Sequence, residues 1–229
     1  GTAALARCAR GESSWVSIDE IGYLECGCLE YCGAVLDLME KKRVAAVIRK
    51  QDLPFLTELC NRPDVFCVDL DQPFGQLGCV IMASGLGKRF GGGKLLAQLE
   101  GKSLLEWTLD ATEDIFRRRI VVTRHREVKA LCREREVPAL LHNLPFRSDT
   151  IRLGLEALEK GAELLEACVF CPADQPLLRK ETLASLALCA SGTKKGQEQP
   201  GIWRPAFGEK AGSPVLFPRR FFEELRALP

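Results

Sequence analysis

Apolar residues in this chain come in short uninterrupted runs, separated by longer stretches with helical spacing. Runs at Trp15–Ile18, Val44–Ile48, Val65–Asp69, Cys79–Met82, Ile120–Thr123, Ala139–His142, Ala167–Cys171 and near Gly201–Arg204 read as strands. Helical spacing falls over Leu29–Lys41, Pro54–Cys60, Arg126–Glu136 and Glu181–Ser191. It also follows Ser103, a suitable N-cap for Leu104, Leu105, Thr108 and Leu109, and it resumes after Ser148. Regular alternation of strand and helix predicts an α/β fold: a mainly parallel, Rossmann-like sheet with helices on both faces. The stretch Asp69–Gly78 mixes polar residues, a proline and glycines and reads as a linker. A boundary near Phe74–Gln76 divides the chain into residues 1–75 and 76–229. A second loop rich in glycine and lysine is expected at Gly192–Gly196.

Composition narrows the picture only slightly. At 229 residues and 46% apolar content the chain can bury a substantial core, and its net charge of +1 suggests neither a nucleic-acid nor a membrane partner. No apolar run approaches the ~20 residues of a membrane-spanning helix. Arg117-Arg118-Arg119 precedes a strand and reads as a solvated face. Eleven cysteines, most expected inside apolar elements such as those of Cys67, Cys79, Cys168 and Cys189, suggest free thiols in a reducing cytoplasm. Cys168 and Cys171 lie in one strand and point to opposite faces. Cys26, Cys28 and Cys32 are closely spaced, but a clear fourth metal ligand is not nearby, and Cys28 and Cys32 have helical core spacing.

Chemistry enters after the strand at Cys79–Met82. Five glycines lie between Gly85 and Gly93, with Lys88 and Arg89 among them and Lys94 behind. Glycine lets backbone N–H groups approach a ligand, and the cations attract phosphate. The loop is not a Walker A motif, because Leu95 follows Gly93-Lys94 and Lys88 stands where the first glycine belongs. Nor is it a dinucleotide fingerprint, because Phe90 takes the place of the third glycine.

The stretch MASGLGKRFGGGKLL resembles the opening signature of the nucleotidyltransferases that build molybdenum cofactor dinucleotides. Gly85, Arg89, Gly91, Lys94, Leu95 and Leu96 fall on that signature. Further motifs follow in the family's order. Asn143 and the string Ser148, Asp149, Thr150, Ile151, Arg152, Gly154, Leu155 resemble its Asn and serine-rich helix start, although the family often has three serines there. Asp174, at the end of a strand and before Gln175-Pro176, resembles its Asp-x-Pro motif. Pro205 and Gly212–Phe217 resemble the segment lining the acceptor, with Ser213 where several members have histidine.

The resemblance implies a cytidylyltransferase-like enzyme of molybdenum cofactor maturation. A molybdopterin phosphate would attack the α-phosphate of CTP, or of another NTP, and release pyrophosphate. Arg89, Lys94 and Asp174 would be catalytic, and Asp174 would hold Mg²⁺. Ala83, Ser84, Gly85, Leu86, Gly87, Arg89, Lys94, Asn143, Ser148, Asp149 and Thr150 would bind the nucleotide. Gly212, Ser213 and Pro214 would face the acceptor. The alternatives are a sugar-phosphate nucleotidyltransferase, or a non-catalytic nucleotide-binding accessory protein serving a molybdenum enzyme. His125 and His142 read as surface or strand-end histidines.

At the other end, an apolar strand stops at Asp19-Glu20, as in a Walker B segment. The string VSIDEIGYLE resembles a segment of small nucleoside-triphosphatases, with Asp19, Glu20, Ile21, Gly22 and Glu25 matching. Without a Walker A loop upstream, residues 1–75 are expected to be the second half of a P-loop domain without NTPase activity, its Walker B pair vestigial. Related enzymes continue with a further acidic segment, so the chain is expected to be a fragment of a longer fusion.

Overall fold

The computed structural model describes residues 1–71, 74, 76–161, 164–191 and 201–229. The loop expected at 192–196, and parts of the linker, lie outside the described residues. Two compact units emerge, Gly1–Cys67 and Val68–Pro229.

The first unit runs α1 (Thr2–Arg10), β1 (Trp15–Ile21), α2 (Tyr23–Cys26), α3 (Leu29–Lys41), β2 (Arg43–Ile48) and α4 (Pro54–Asn61). β1 and β2 pair in parallel. Leu5, Ile18, Ile21, Val35, Leu38, Leu56 and Leu59 form its core. Two expectations fail here. β1 does not end at Ile18: it continues through Asp19 and Glu20 to Ile21, with a register shift between Ile18 and Ile21. That irregularity lets both isoleucines stay buried while the two acids remain exposed. Residues 65–69 are coil rather than strand, with Phe66 and Val68 exposed; the sheet of this unit has two strands. The cysteine spacing also resolves differently: Cys32 is buried in α3, but Cys28 is exposed at its N-cap.

The second unit runs β3 (Leu77–Ala83), β4 (Gln98–Leu99), β5 (Lys102–Ser103), α5 (Leu104–Thr112), β6 (Arg118–Thr123), α6 (Arg126–Glu134), β7 (Ala139–Leu141) and α7 (Arg147–Glu159). It continues with β8 (Ala167–Pro172), α8 (Lys180–Ser191), β9 (Ala206–Phe207), β10 (Lys210–Ala211), β11 (Val215–Pro218) and α9 (Phe222–Arg226). Its central sheet has the order β11-β8-β3-β6-β7, parallel except for β11. Period-two alternation sorts the strand residues between two cores. Cys79, Ile81, Val121, Val169 and Cys171 pack with Leu105 and Leu109 of α5, Val128 of α6 and Leu183 of α8. Val80, Ile120, Val122, Cys168 and Phe170 pack with Leu155 and Leu158 of α7 and Phe222 and Leu225 of α9. Cys168 and Cys171 therefore face opposite sides, while Cys67 and Cys189, expected inside elements, are exposed. Among the described residues no helix is long and apolar enough to cross a membrane.

Local chemistry explains several boundaries. Ser103 Oγ accepts the Glu106 N–H at 3.3 Å, while the Glu106 carboxylate accepts the Ser103 N–H at 2.8 Å. This reciprocal capping box starts α5 where the sequence places it. Of the arginine run, Arg117 is exposed as expected, but Arg118 and Arg119 are not a solvated face. β6 begins at Arg118, whose guanidinium donates to Leu158 O in the last turn of α7. Arg119 donates to Leu109 O at 2.6 Å and to Thr112 Oγ1 at 3.2 Å. Both cations satisfy carbonyl-rich helix ends, which a solvated reading misses. The strand expected near Gly201–Arg204 reduces to one bridge between Trp203 and Leu216. Pro205 has no N–H with which to continue the ladder.

α7 lies against β3 with no room to spare. A Cβ at Gly154 would meet Val80 Cγ1 at 2.5 Å and Cγ2 at 2.6 Å. Gly154→Ala should destabilise the second unit by about 1–3 kcal/mol, the cost of overpacking a filled interface. Urea unfolding checks this; a stability equal to wild type would contradict the close packing.

Candidate active site

The loop leaving β3 emerges at the carboxyl end of the sheet, where chain order reverses. β6 and β7 lie to one side of β3 and β8 to the other. Such switch points leave a crevice between loops that diverge. Within the loop, Gly87 and Gly93 precede two short 3-10 turns, Lys88–Phe90 and Lys94–Leu96, with φ of 58° and 61°. A Cβ at Gly87 would also stand 3.3 Å from Lys94 Cβ. Glycine therefore permits both the left-handed turn and the fold of the loop back toward Lys94. Leu95 is buried and anchors the far end in the core.

Lys94 Nζ lies 2.5 Å from Asp174 Oδ2. Asp174 follows β8, and Ala173 N–H donates to Met82 O at 3.1 Å, tying that turn to β3. Residues eighty positions apart thus meet because their strands are neighbours. The pair is part-exposed, at 37% and 38%, so its net contribution is small and it exchanges readily for other partners. Arg89 is exposed and makes no ion pair among the described residues.

The remaining candidates fall at the same end of the sheet. Ala83 closes β3, fully buried, and its carbonyl accepts Thr123 Oγ1 at 3.0 Å. Ser84 Oγ donates to Val122 O at 3.1 Å and lies 2.8 Å from His142 Nε2. Gly85 and Leu86 are exposed, and Gly85 O lies 2.9 Å from His125 Nε2. Asn143, exposed, opens the turn from β7 to α7. The helix starts at Arg147, and its capping acid is Asp149: the carboxylate accepts Phe146 N–H at 3.0 Å and an Arg152 N–H at 2.9 Å. Those two bonds hold the Asp149 carboxyl below its usual value, the backbone N–H contributing most. Ser148 is half-buried, whereas Thr150 is 1% exposed with its hydroxyl buried and without a partner. Gly212, Ser213 and Pro214 precede β11, which runs antiparallel to β8 with Val215 opposite Phe170. This pairing carries them to the end of the sheet where Asp174 lies. The Ser213–Pro214 peptide is cis.

In the first unit, Glu20 accepts two bonds from Arg49, at 2.6 and 3.1 Å, and Asp19 is exposed. Among the described residues no cluster of three or more His, Cys, Asp or Glu side chains could hold a metal ion. Any metal bound at Asp174 therefore draws most of its ligands from elsewhere. Cys171, near Asp174 in sequence, is no thiolate: burial and then the Asp174 charge push its thiol up to about 12.

Three residues at this end were not read as functional from the sequence: Thr123, His125 and His142. Thr123 accepts His125 N–H at 3.0 Å while donating to Ala83 O, so one buried hydroxyl ties the ends of β3 and β6. The available signal was their position, just at or beyond predicted strand ends.

Among the described residues, then, a five-stranded α/β sheet carries a cationic glycine loop at its switch point. The chain belongs to the family of MobA-like NTP transferase domains, whose sequence profile matches residues 79–229. It is 31% identical over 106 residues to a protein of Aquifex aeolicus named "Probable molybdenum cofactor guanylyltransferase". That match covers 46% of this chain and 49% of the relative, so the chain spans about half the length of the curated relative it matches. The fold is similar to that of Rv0371c from Mycobacterium tuberculosis H37Rv, with TM-score 0.57 and 22% identity, covering 67% of this chain and 77% of that one. A complex of Rv0371C with manganese gives TM-score 0.53 and 20% identity, covering 67% and 76% of the two chains.

Thr123→Val keeps the shape of the side chain but removes the hydroxyl between Ala83 O and His125 N–H. The expected loss is about 1–3 kcal/mol, the cost of leaving buried polar groups unsatisfied. Chemical denaturation measures it; a change within experimental error would show that these strand ends are tied in another way.

Proposed function

We propose that this chain carries a metal-dependent nucleotidyltransferase site, which transfers CMP from CTP to the phosphate of a molybdopterin-type acceptor and releases pyrophosphate. The observation that carries this reading is the Lys94–Asp174 pair at the mouth of the glycine loop. It unites a phosphate-binding cation with a carboxylate whose hard oxygens suit Mg²⁺ or Mn²⁺. Mg²⁺ is commonly held by one or two carboxylates plus substrate phosphates and waters, so Asp174 suffices as a protein ligand. When bound, the cation supplies Lewis-acid polarisation of the phosphates.

The chain's own groups have the following roles. Backbone N–H groups of Gly85–Gly87 receive the triphosphate. Lys94 leaves Asp174 for the incoming phosphates, and exposed Arg89 adds a second cation. An acceptor phosphate oxygen bonds to the α-phosphorus as the bond to the β-phosphate's bridging oxygen breaks, so pyrophosphate leaves with that electron pair. The acceptor is already anionic, and no protein nucleophile is required. Ala83, Ser84 and Leu86 belong to the nucleotide-binding side of the loop. Asn143, Ser148, Asp149 and Thr150 belong to the turn facing base and ribose, and Gly212–Pro214 to the acceptor side. Asp19 and Glu20 are assigned no nucleotide chemistry.

CTP is favoured because the opening ASG and the string GGGKLL resemble the cytidylyl branch, whereas relatives on the guanylyl branch usually carry Gly-Gly and an acid before the lysine. A second reading, GTP, is favoured by the name of the Aquifex relative. Thermal stabilisation by each of the four NTPs with Mg²⁺ or Mn²⁺ discriminates between them, since a ligand stabilises by RT ln(1 + [L]/Kd). Equal response to all four would remove the base assignment. Pyrophosphate release separates turnover from a nucleotide-binding accessory role, and sugar phosphates offered beside molybdopterin test the other acceptor class.

Lys94→Ala should weaken triphosphate binding by about 2–4 kcal/mol with little effect on fold stability. Unchanged affinity by calorimetry on the folded variant would remove the phosphate role. Asp174→Asn should abolish the metal dependence of nucleotide binding while changing metal-free binding less. Equal metal dependence in variant and wild type would count against Asp174 as the anchor.

A further inference from the structure

Two histidines hold the first two residues after β3. His125 Nε2 lies 2.9 Å from Gly85 O, and a carbonyl only accepts, so this nitrogen carries the hydrogen. His142 Nε2 lies 2.8 Å from Ser84 Oγ. The Ser84 hydroxyl has one hydrogen, and Val122 O, 3.1 Å away, can only accept it. Placing that hydrogen on Val122 O satisfies the most partners, and the bond between the two side chains then runs from His142 Nε2–H to Ser84 Oγ. This makes neutral His142 the Nε2–H tautomer and leaves Nδ1 as a lone pair, buried and without a partner. The backbone of His142 is held too, its N–H donating to Thr123 O at 3.0 Å.

We infer that His142 is a positioning residue, whose Nε2–H holds Ser84 and thereby the N–H groups of Gly85–Gly87 in the conformation that receives a triphosphate. The inference rests on the nucleotide reading of that loop. It also makes the loop sensitive to protons. A second proton would go to Nδ1 and create a buried donor with no acceptor. The groups facing the ring divide in sign. Arg124, between β6 and α6, opposes the added charge. Asp149 of α7 favours it, but its carboxylate already accepts from Phe146 N–H and Arg152. Ser84 contributes no charge. Burial, and then Arg124, hold the imidazole below its usual value. The held loop thus binds fewer protons than a loosened one. Its grip is complete above the ordinary imidazole value of about 6.5 and is lost as pH falls through the lowered one.

The test uses the full chain and two variants. His142→Gln keeps an N–H donor without titrating, and His142→Phe keeps a ring without a donor. Affinities for CTP and GTP with Mg²⁺ are measured by calorimetry at about pH 7.5 and about pH 5.5, either side of the ordinary imidazole value. Amide exchange at Gly85–Gly87 is measured without nucleotide. At the higher pH, His142→Phe should weaken the tighter-binding triphosphate by about 3- to 10-fold, the size of one hydrogen bond. It should also speed exchange at these glycines. His142→Gln should restore both and remove the part of the acid loss that wild type shows beyond that of the phosphates. Identical exchange and identical pH profiles in all three proteins would overturn the inference. If His142→Phe does not fold, a wild-type acid loss in His142→Gln overturns it alone. If wild type binds neither triphosphate, the nucleotide reading fails, and exchange decides the positioning role: unchanged exchange refutes it, and faster exchange restored by glutamine supports it.

Discussion

β3 is enclosed on every side, and the site depends on that enclosure. From Leu77 to Ile81 each residue is buried, with β6 and β8 on its edges and helices over both faces. A strand so placed reaches water only at its ends. Because β6, β7 and β8 run parallel to it, the carboxyl ends of four strands converge where the glycine loop emerges. The crevice between diverging loops is a consequence of that order.

Polar ties then align the strand ends with one another. Thr123 bonds the end of β3, Ala173 N–H bonds Met82 O, and His142 N–H bonds Thr123 O. Each satisfies a backbone group that the ladder no longer serves. These ties place Ser84, His125, His142 and Asp174 around one loop, although they come from four connections. Asp174 and Lys94 hold each other, with enough exposure that either can exchange its partner for another.

Much of this was legible in the chain. The uninterrupted apolar runs predicted buried strands, and Ser103, read as an N-cap, marked the start of α5. Spacing of Gly85, Arg89 and Lys94 pointed to phosphate because backbone permissiveness and charge are local properties. Where reading failed, partners distant in sequence were responsible. Arg118 and Arg119 looked solvated because the carbonyls they cap belong to α7 and α5. Residues 65–69 looked like a strand because apolar content is visible in sequence and a neighbouring ladder is not. β1 ran past Asp19 and Glu20 because a register shift let Ile21 reach the core.

The alternation of elements, the glycine loop with its cations, and the carboxylate at the end of a strand were readable locally, since each depends on residues a few positions apart. That Lys94 meets Asp174, that Asp149 is occupied in capping α7, and that two histidines contact Ser84 and Gly85 emerges only in the folded chain. Those facts depend on which strands are neighbours. Neighbourhood in a sheet follows from burial of the whole chain, which no local stretch encodes.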